Sequence, residues 1–392
     1  MIADTWDQVF NYCDRIEIYK SFSLVNKELN IVAKNMIIDS VDMTKYPKLT
    51  FDKLRQLKPK DVTMIVTETY DLDFIQSLTC LGDCHISLNH LTNLKKLDIS
   101  KCDINSCNVD KLTNLEHLAT YKTNLSHLTD LRRFDWISSH FIIANENILP
   151  LTNLTRLDLG GNRVGLGYNK AQNLRDNCRV DYVALNQVPK LTWLRLPTCY
   201  EIDNVNLTYL DVSSDIKYLD KMTNLKELRL IINKVETAHN IMKLTNLKSL
   251  TIEKSSINLR RALILPNLLE LTLLDCEVNL PASLIKLTLD HFANINDRDL
   301  LHLTNLTELV ASRHIRDVNH LTNLRILTTN TKNISCLDNL TNLTRLDLSN
   351  NNRINWVSRL TKLEELHITK HNRLNEIPKV KRLYLNGRLV KF

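Results

Sequence analysis

The chain of 392 residues is poor in the residues that loosen or interrupt a backbone, with six glycines and eight prolines. That scarcity excludes collagen-like and low-complexity disordered classes. No apolar run approaches the roughly 20 residues a membrane helix needs. The opening MIADTWDQVF has no basic flank and no apolar stretch, so it is not read as a secretory signal. There is no run of five or more Lys or Arg; 51 basic and 44 acidic residues interleave, as in KELNIVAK and EELHITK, for a net charge of +7. Binding of nucleic acid or membrane through bulk charge is therefore disfavoured. The nine cysteines are odd in number and irregular in spacing, which reads as free thiols in a reducing interior.

Catalytic and metal signatures are absent too. No Cys-x-x-Cys occurs; Cys80 and Cys84, like Cys102 and Cys107, have the wrong spacing for a zinc ribbon. There is no HExxH and no GxxxxGK[ST], and the glycines of LGGNRVGLG read as a turn. The expectation is a non-enzyme without cofactor or metal. Sequons such as Asn153-Leu-Thr155 arise because a repeat spells NLT, and without secretion they carry no glycan.

With 43% hydrophobic residues the chain can bury a large core, and these residues are spaced with a regular period. LTNLKKLDIS starts at Leu91, LTNLTRLDLGGN at Leu151 and LTNLTRLDLSNN at Leu340. Copies of LTNLxxLxLxxN recur with a mean period of about 19 residues, within the range of short solenoid repeats. In LxL both leucines point to one side of a short strand and the residue between them to the other. Stacked copies make a parallel sheet with a continuous leucine core on one side. A residue just after LxL must hydrogen-bond neighbouring backbone; Asn162, Asn233 and Asn351 hold that place in the best copies, and Cys102, Cys199, Cys276, Ser255 or Thr123 in others. His314, His371, Phe292 and Lys332 depart from the pattern there, which predicts an irregular polar ladder in the C-terminal third.

The pattern resembles that of leucine-rich repeat proteins, which use Asn or Cys at this place. The fold expected is an α/β solenoid, a leucine-rich repeat horseshoe with its parallel sheet on the concave face, preceded by a small three-helix N-terminal module. Repeats this short leave room on the convex side only for extended segments, 3₁₀ turns and single helical turns. Val390 and Phe392 are expected to close the last strand weakly. The concave face presents the residues flanking the first Leu of each LxL, Tyr121 among those read along the stack, and a central patch there stands out: Arg156, Trp193, Arg195, Tyr209 and Arg229. Exposed Trp, Tyr and Arg are the residues richest in binding energy at interfaces, so these six are the candidate target-binding residues. The other reading is a solvated sheet face with chance aromatics.

The stretch before the repeats differs. Trp6, Val9, Phe10 and Cys13 lie three to four apart, the spacing of one amphipathic helix, and Tyr19, Phe22, Leu24, Val25, Leu29 and Val32 suit one or two more. A unit of about 40 residues with so few large apolar groups does not fold alone; it packs on the first repeat or completes itself on a partner.

VFNYCDRIEIYKSFSLVNKELNIVA, Val9 to Ala33, resembles an F-box. Val9, Phe10 and Tyr12 match its opening, and Ser23, Leu24, Val25 and Lys27 its middle. Cys13 stands where Leu is usual and Leu29 where Trp is usual; Ile2-Ala3 stands in place of the Leu-Pro start. The resemblance implies a substrate receptor of an SCF-type ubiquitin ligase. Trp6, Val9, Phe10, Tyr12, Phe22, Leu24, Val25 and Leu29 would then contact the cullin-ligase adaptor subunit (Skp-type), while the repeats hold a target protein. It also implies a eukaryotic cytoplasm or nucleus, including that of a host cell infected by a virus or bacterium. The alternative is an intracellular scaffold with a helical N-terminal cap and no ubiquitin role. Expected boundaries are 1–45 for the helical module, 46–90 for irregular first repeats and 91–392 for the solenoid, in a monomer that binds protein but no small molecule.

Overall fold

The computed structural model describes residues 40–45, 49, 51–65, 72–81, 87–102, 109–120, 125, 127–136, 143–160, 178–179, 185–196, 202, 204–255, 259, 265–329 and 331–390. The three-helix module and all eight adaptor-contact candidates, Trp6 to Leu29, lie outside the described residues. The chain forms two compact units, one of 1–180 with 187–190 and one of 181–186 with 191–392.

In the first unit, β1 (Ser40–Asp42), α1 (Phe51–Leu57), β2 (Asp61–Met64), β3 (Ser77–Leu81), β4 (Lys96–Lys101), β5 (His117–Thr120) and β6 (Arg133–Trp136) follow one another. After them come β7 (Ile143–Ala144), α2 (Asn145–Ile148), β8 (Arg156–Asp158) and β9 (Cys178–Arg179). Strands β1 to β6 and β8 pair in parallel, each with the next. β7 and β9 make a separate parallel pair.

In the second unit, β10 (Trp193–Leu196), β11 (Tyr209–Val212), β12 (Glu227–Ile232), β13 (Ser249–Ser255), β14 (Glu270–Leu273) and β15 (Lys286–Leu289) stack in sequence order. The stack continues through β16 (Glu308–Ala311), β17 (Ile326–Thr329), β18 (Arg345–Asp347), β19 (Glu365–Ile368) and β20 (Arg382–Leu385), all parallel.

One copy shows how the leucine turns are built. In LTNLTRLDL the Leu340, Leu343, Leu346 and Leu348 side chains are fully buried, each worth roughly 2 kcal/mol of apolar burial. The turn closes when Leu343 N–H donates to Leu340 O at 3.0 Å. The next two amides, Thr344 and Arg345, both donate to Arg325 O in the preceding turn, at 2.8 and 3.0 Å. The chain thereby enters β18 in register with β17, Leu327 opposite Leu346. Because alternate strand residues face opposite sides, the same register lines up the residues of the sheet's open face across successive turns.

The side away from the sheet carries a 3₁₀ turn at Leu219–Lys221, α3 (Val235–Ile241) and the single turn α4 (Asp297–Leu300). The α3 segment has two turns rather than the one expected, and Thr237, Ala238 and Ile241 bury its inner side.

The polar ladder differs from expectation in an instructive way. Asn351 is buried; its Nδ2 donates to Ile334 O at 2.9 Å and its Oδ1 accepts the amides of Arg353 and Ile354. Cys102 and Cys276 are buried with Sγ 3.8 Å from the carbonyls of Cys80 and Ile252. Asn233 is exposed instead. There Asp215 of the preceding turn accepts the amides of Asn233 and Lys234 at 3.0 and 3.1 Å, just before α3 begins. Where Lys332 and His371 break the pattern, the following residue takes over: Asn333 donates to Arg313 O, and Asn372 to Leu348 O and Asn351 O. At Phe292 the preceding Asp290 serves, accepting the amides of Phe292 and Ala293.

The last turn also departs from the weak closure expected of Val390 and Phe392. β21 (Arg388–Val390) folds back antiparallel on β20, pairing Leu385 with Arg388 and Leu383 with Val390. Asn386 and Gly387 form the two-residue loop with φ of +50° and +77°. An Asn-Gly pair reaches these left-handed values at the lowest cost, and its turn matches the twist of a hairpin. Phe392 lies outside the described residues.

Candidate functional site

The open face of the second unit places four of the six target-binding candidates on three adjacent strands. Trp193 on β10 is opposite Tyr209 on β11. Their rings stack with centroids 4.4 Å apart and planes within 8°. Two residues further along the same strands, Arg195 lies opposite Asp211, and Asp211 opposite Arg229 of β12. Arg195 Nε is 2.9 Å from Asp211 Oδ2, and Arg229 Nε is 4.0 Å from Asp211 Oδ1. Arg229 Nε also donates to Glu253 Oε1 on β13 at 2.6 Å. The Asp211 side chain is 1% exposed. Burial alone would lower the Arg229 guanidinium; the hydrogen bond to Glu253 and the charges of Glu253 and Asp211 outweigh it and raise it. Burial, with the Asp211 charge beside it, raises the Tyr209 phenol, so it stays a neutral donor at physiological pH.

These arginines are thus fixed by carboxylates, and what the patch offers a partner is a half-buried aromatic pair on a rigid ionic base. The role of Asp211 was not legible from residue type alone. The usable signal is positional: an acid at the middle of LxL with Arg at the same place in both flanking copies.

Arg156 belongs to the first unit, where a similar arrangement centres on Asp135 of β6. His117 Nε2 is 3.1 Å from Asp135 Oδ2, Arg133 Nε donates to the same oxygen at 2.8 Å, and Arg156 Nε is 3.6 Å from Oδ1. Burial would raise the Asp135 carboxyl, but the His117 and Arg133 hydrogen bonds hold it below the ordinary carboxylate range. Burial and the neighbouring Arg133 charge lower the Arg156 guanidinium. Tyr121 lies outside the described residues.

Near the end of the second unit the pattern recurs. Glu365 of β19 lies 2.7 Å from His367 Nε2, 3.1 Å from Arg345 Nε and 2.8 Å from an Arg382 nitrogen. His367 stacks on Tyr384 of β20 at 4.2 Å and 8°. Stacked rings beside a chelated carboxylate are therefore a recurring element of the open face. No group of three or more His, Cys, Asp or Glu among the described residues is arranged to hold a metal ion.

No protein-family model and no curated protein matches the chain. Solved structures do. The functional domain of InlJ from Listeria monocytogenes, with its cysteine ladder, is 18% identical over 81% of this chain and 70% of its own, at a TM-score of 0.43. The leucine-rich repeat protein LIC12759 of Leptospira interrogans is 18% identical over 86% and 91%, at 0.44. TLR13 in its complex with ssRNA13 is 17% identical over 92% and 67%, at 0.53. The fold is a leucine-rich repeat solenoid. At these identities the likeness is one of fold. No helix among the described residues is long and apolar enough to cross a membrane.

Proposed function

We propose that the chain is a non-catalytic protein-binding adaptor whose open sheet face holds a target through the Trp193–Tyr209 pair. The observation that carries this reading is that stack, set beside the Arg195–Asp211–Arg229–Glu253 chain. The ionic chain keeps the face stiff, so little conformational entropy is lost when a partner binds. Aromatic and Arg anchors on a preorganised surface are what interface hot spots require.

The finer reading is a substrate receptor of an SCF-type ubiquitin ligase, working in the cytoplasm or nucleus. It rests on the F-box-like residues Val9, Phe10, Tyr12, Ser23, Leu24, Val25 and Lys27. In that role the segment 1–45 docks the Skp-type adaptor and the repeats present the target. Two sites on one body raise the local concentration of target near the charged enzyme, and the receptor performs no bond chemistry itself. The test is co-purification of the full chain with recombinant adaptor, wild type against Phe10→Ala/Leu24→Ala. The expected result is capture by the wild type and at least tenfold loss in the variant. Absence of capture by the wild type, or equal capture by both, removes the ligase role and leaves the protein-binding scaffold.

A further inference from the structure

The loops that leave the strands of the second unit carry a row of basic side chains that the open face does not use. His291 follows β15, Arg313 follows β16, Lys332 follows β17 and Arg353 follows β18, while Lys370 and Arg373 follow β19. The cations of the open face are each tied to a carboxylate: Arg195 to Asp211, Arg229 to Glu253, and Arg345 and Arg382 to Glu365. Among the described residues no carboxylate pairs with any of these six edge side chains. Asp290, beside His291 in sequence, is half-buried and accepts the amides of Asp275, Phe292 and Ala293.

Between these loops lies a recess of about 550 Å³ lined by His291, Arg313, Thr331, Lys332, Asn333 and Asn350, with no acidic residue in its wall. Arg313 is held there from two sides. Its guanidinium lies 5.8 Å from the centre of the Phe292 ring, and its Nε donates to His314 Nε2 at 3.2 Å. Phe292 is 58% exposed.

We infer that this edge is a second binding surface, for an extended acidic polypeptide segment. Charge complementarity argues for an anion: five successive turns each present a basic side chain on the same edge, Arg or Lys in four of them, and among the described residues no carboxylate pairs with them. The number of turns fixes the length. Strands repeat every ~4.8 Å, so the row spans roughly 20 Å, the reach of about six extended residues. Single-stranded nucleic acid, the other polyanion of that width, needs aromatic platforms for its bases. This row offers one ring, Phe292, which already has His291 5.4 Å away on one side and Arg313 above it. Carboxylates need no such platform and pair with Arg and Lys directly. The surface goes beyond the open-face reading, and its residues do not overlap with Trp193 or Tyr209.

Fluorescence anisotropy decides the matter, using the full chain, a labelled hexaglutamate peptide and a labelled ten-residue oligothymidylate at 50 mM and 200 mM salt. The peptide is expected to bind more tightly than the oligonucleotide and to weaken with salt. Arg313→Glu/Lys332→Glu should reduce its affinity at least tenfold, while Trp193→Ala leaves it unchanged. All six edge positions are solvent-facing loop residues, and Arg353→Glu/Lys370→Glu gives a second charge reversal should the first disturb folding. Peptide binding that is absent, or that survives both reversals, overturns the proposal. Tighter binding of the oligonucleotide overturns the polypeptide assignment, and loss in Trp193→Ala would place the contact on the open face.

Discussion

Asp211 shows how a single residue governs the open face. Its buried carboxylate sits between Arg195 and Arg229, which are 29% and 40% exposed. Removing one member of a fully buried pair costs about 3–5 kcal/mol; partial exposure of the two arginines screens this toward about 2 kcal/mol. Asp211→Ala is thus expected to lower stability by about that amount in urea unfolding, and to loosen the Trp193–Tyr209 stack.

Glu365 makes a pH prediction. The His367 hydrogen bond and the Arg345 and Arg382 charges lower its carboxyl against the opposing effect of burial. A carboxyl lowered in the folded state binds its proton less readily there than in the unfolded chain. Its stabilisation is therefore complete above the unfolded value, near pH 4.3 for Glu, and is lost as pH falls through the lower folded value. The stability gap between wild type and Glu365→Gln should be widest at neutral pH and shrink below about pH 4, measured by thermal melts.

Thiols are a third residue-scale case. Burial pushes Cys276 up to about 12, and Cys80 and Cys102 are buried with it, whereas Cys336 is exposed. An aromatic disulfide reagent at pH 8 should label Cys336 at once and the other three only after unfolding.

At the scale of the element, the asparagine of LTN does more than mark the repeat. Asn93, Asn114 and Asn153 donate to the carbonyls of Asp73, Thr92 and Thr129, one turn back. Asn224, Asn246, Asn323 and Asn342 do the same to Val205, Thr223, Thr304 and Thr322. Where the repeat substitutes Lys, at Lys190 and Lys362, its ammonium donates to the Oδ1 of Asn153 and Asn342, both at 2.6 Å. This second, exposed ladder ties turn to turn on the approach to these strands. Asn323→Ala should cost about 1 kcal/mol, the net worth of one exposed amide bond, seen as faster amide exchange at Arg325 and Ile326.

The leucine positions and the parallel stacking were readable from period alone, since nothing but a stacked strand buries Leu91, Leu94, Leu97 and Ile99 together. The slide of the inner ladder to Asn333 and Asn372 was not readable. It depends on loop geometry that brings the next residue, rather than the expected one, to the neighbouring carbonyl. The hairpin was legible in principle, because Asn386-Gly387 between Leu385 and Leu389 is a hairpin signal that the repeat pattern obscured.

For the whole molecule, composition bounded what to expect, and spacing identified the fold. In the proposed reading, function is carried by differences between copies rather than by the repeat. Trp193 and Tyr209 depart from the polar residues usual at their place, and the basic side chains of the edge loops from His291 to Arg373 outnumber the acids beside them. The most direct measurement of the central claim is site-specific photo-crosslinking in cell extract, with a benzophenone amino acid placed at Trp193 or at Glu236, which is exposed on α3 away from the sheet. The account predicts that position 193 traps one discrete polypeptide that position 236 does not trap, and that Tyr209→Ala diminishes its yield. Equal trapping at both positions, or trapping at 236 alone, would contradict it.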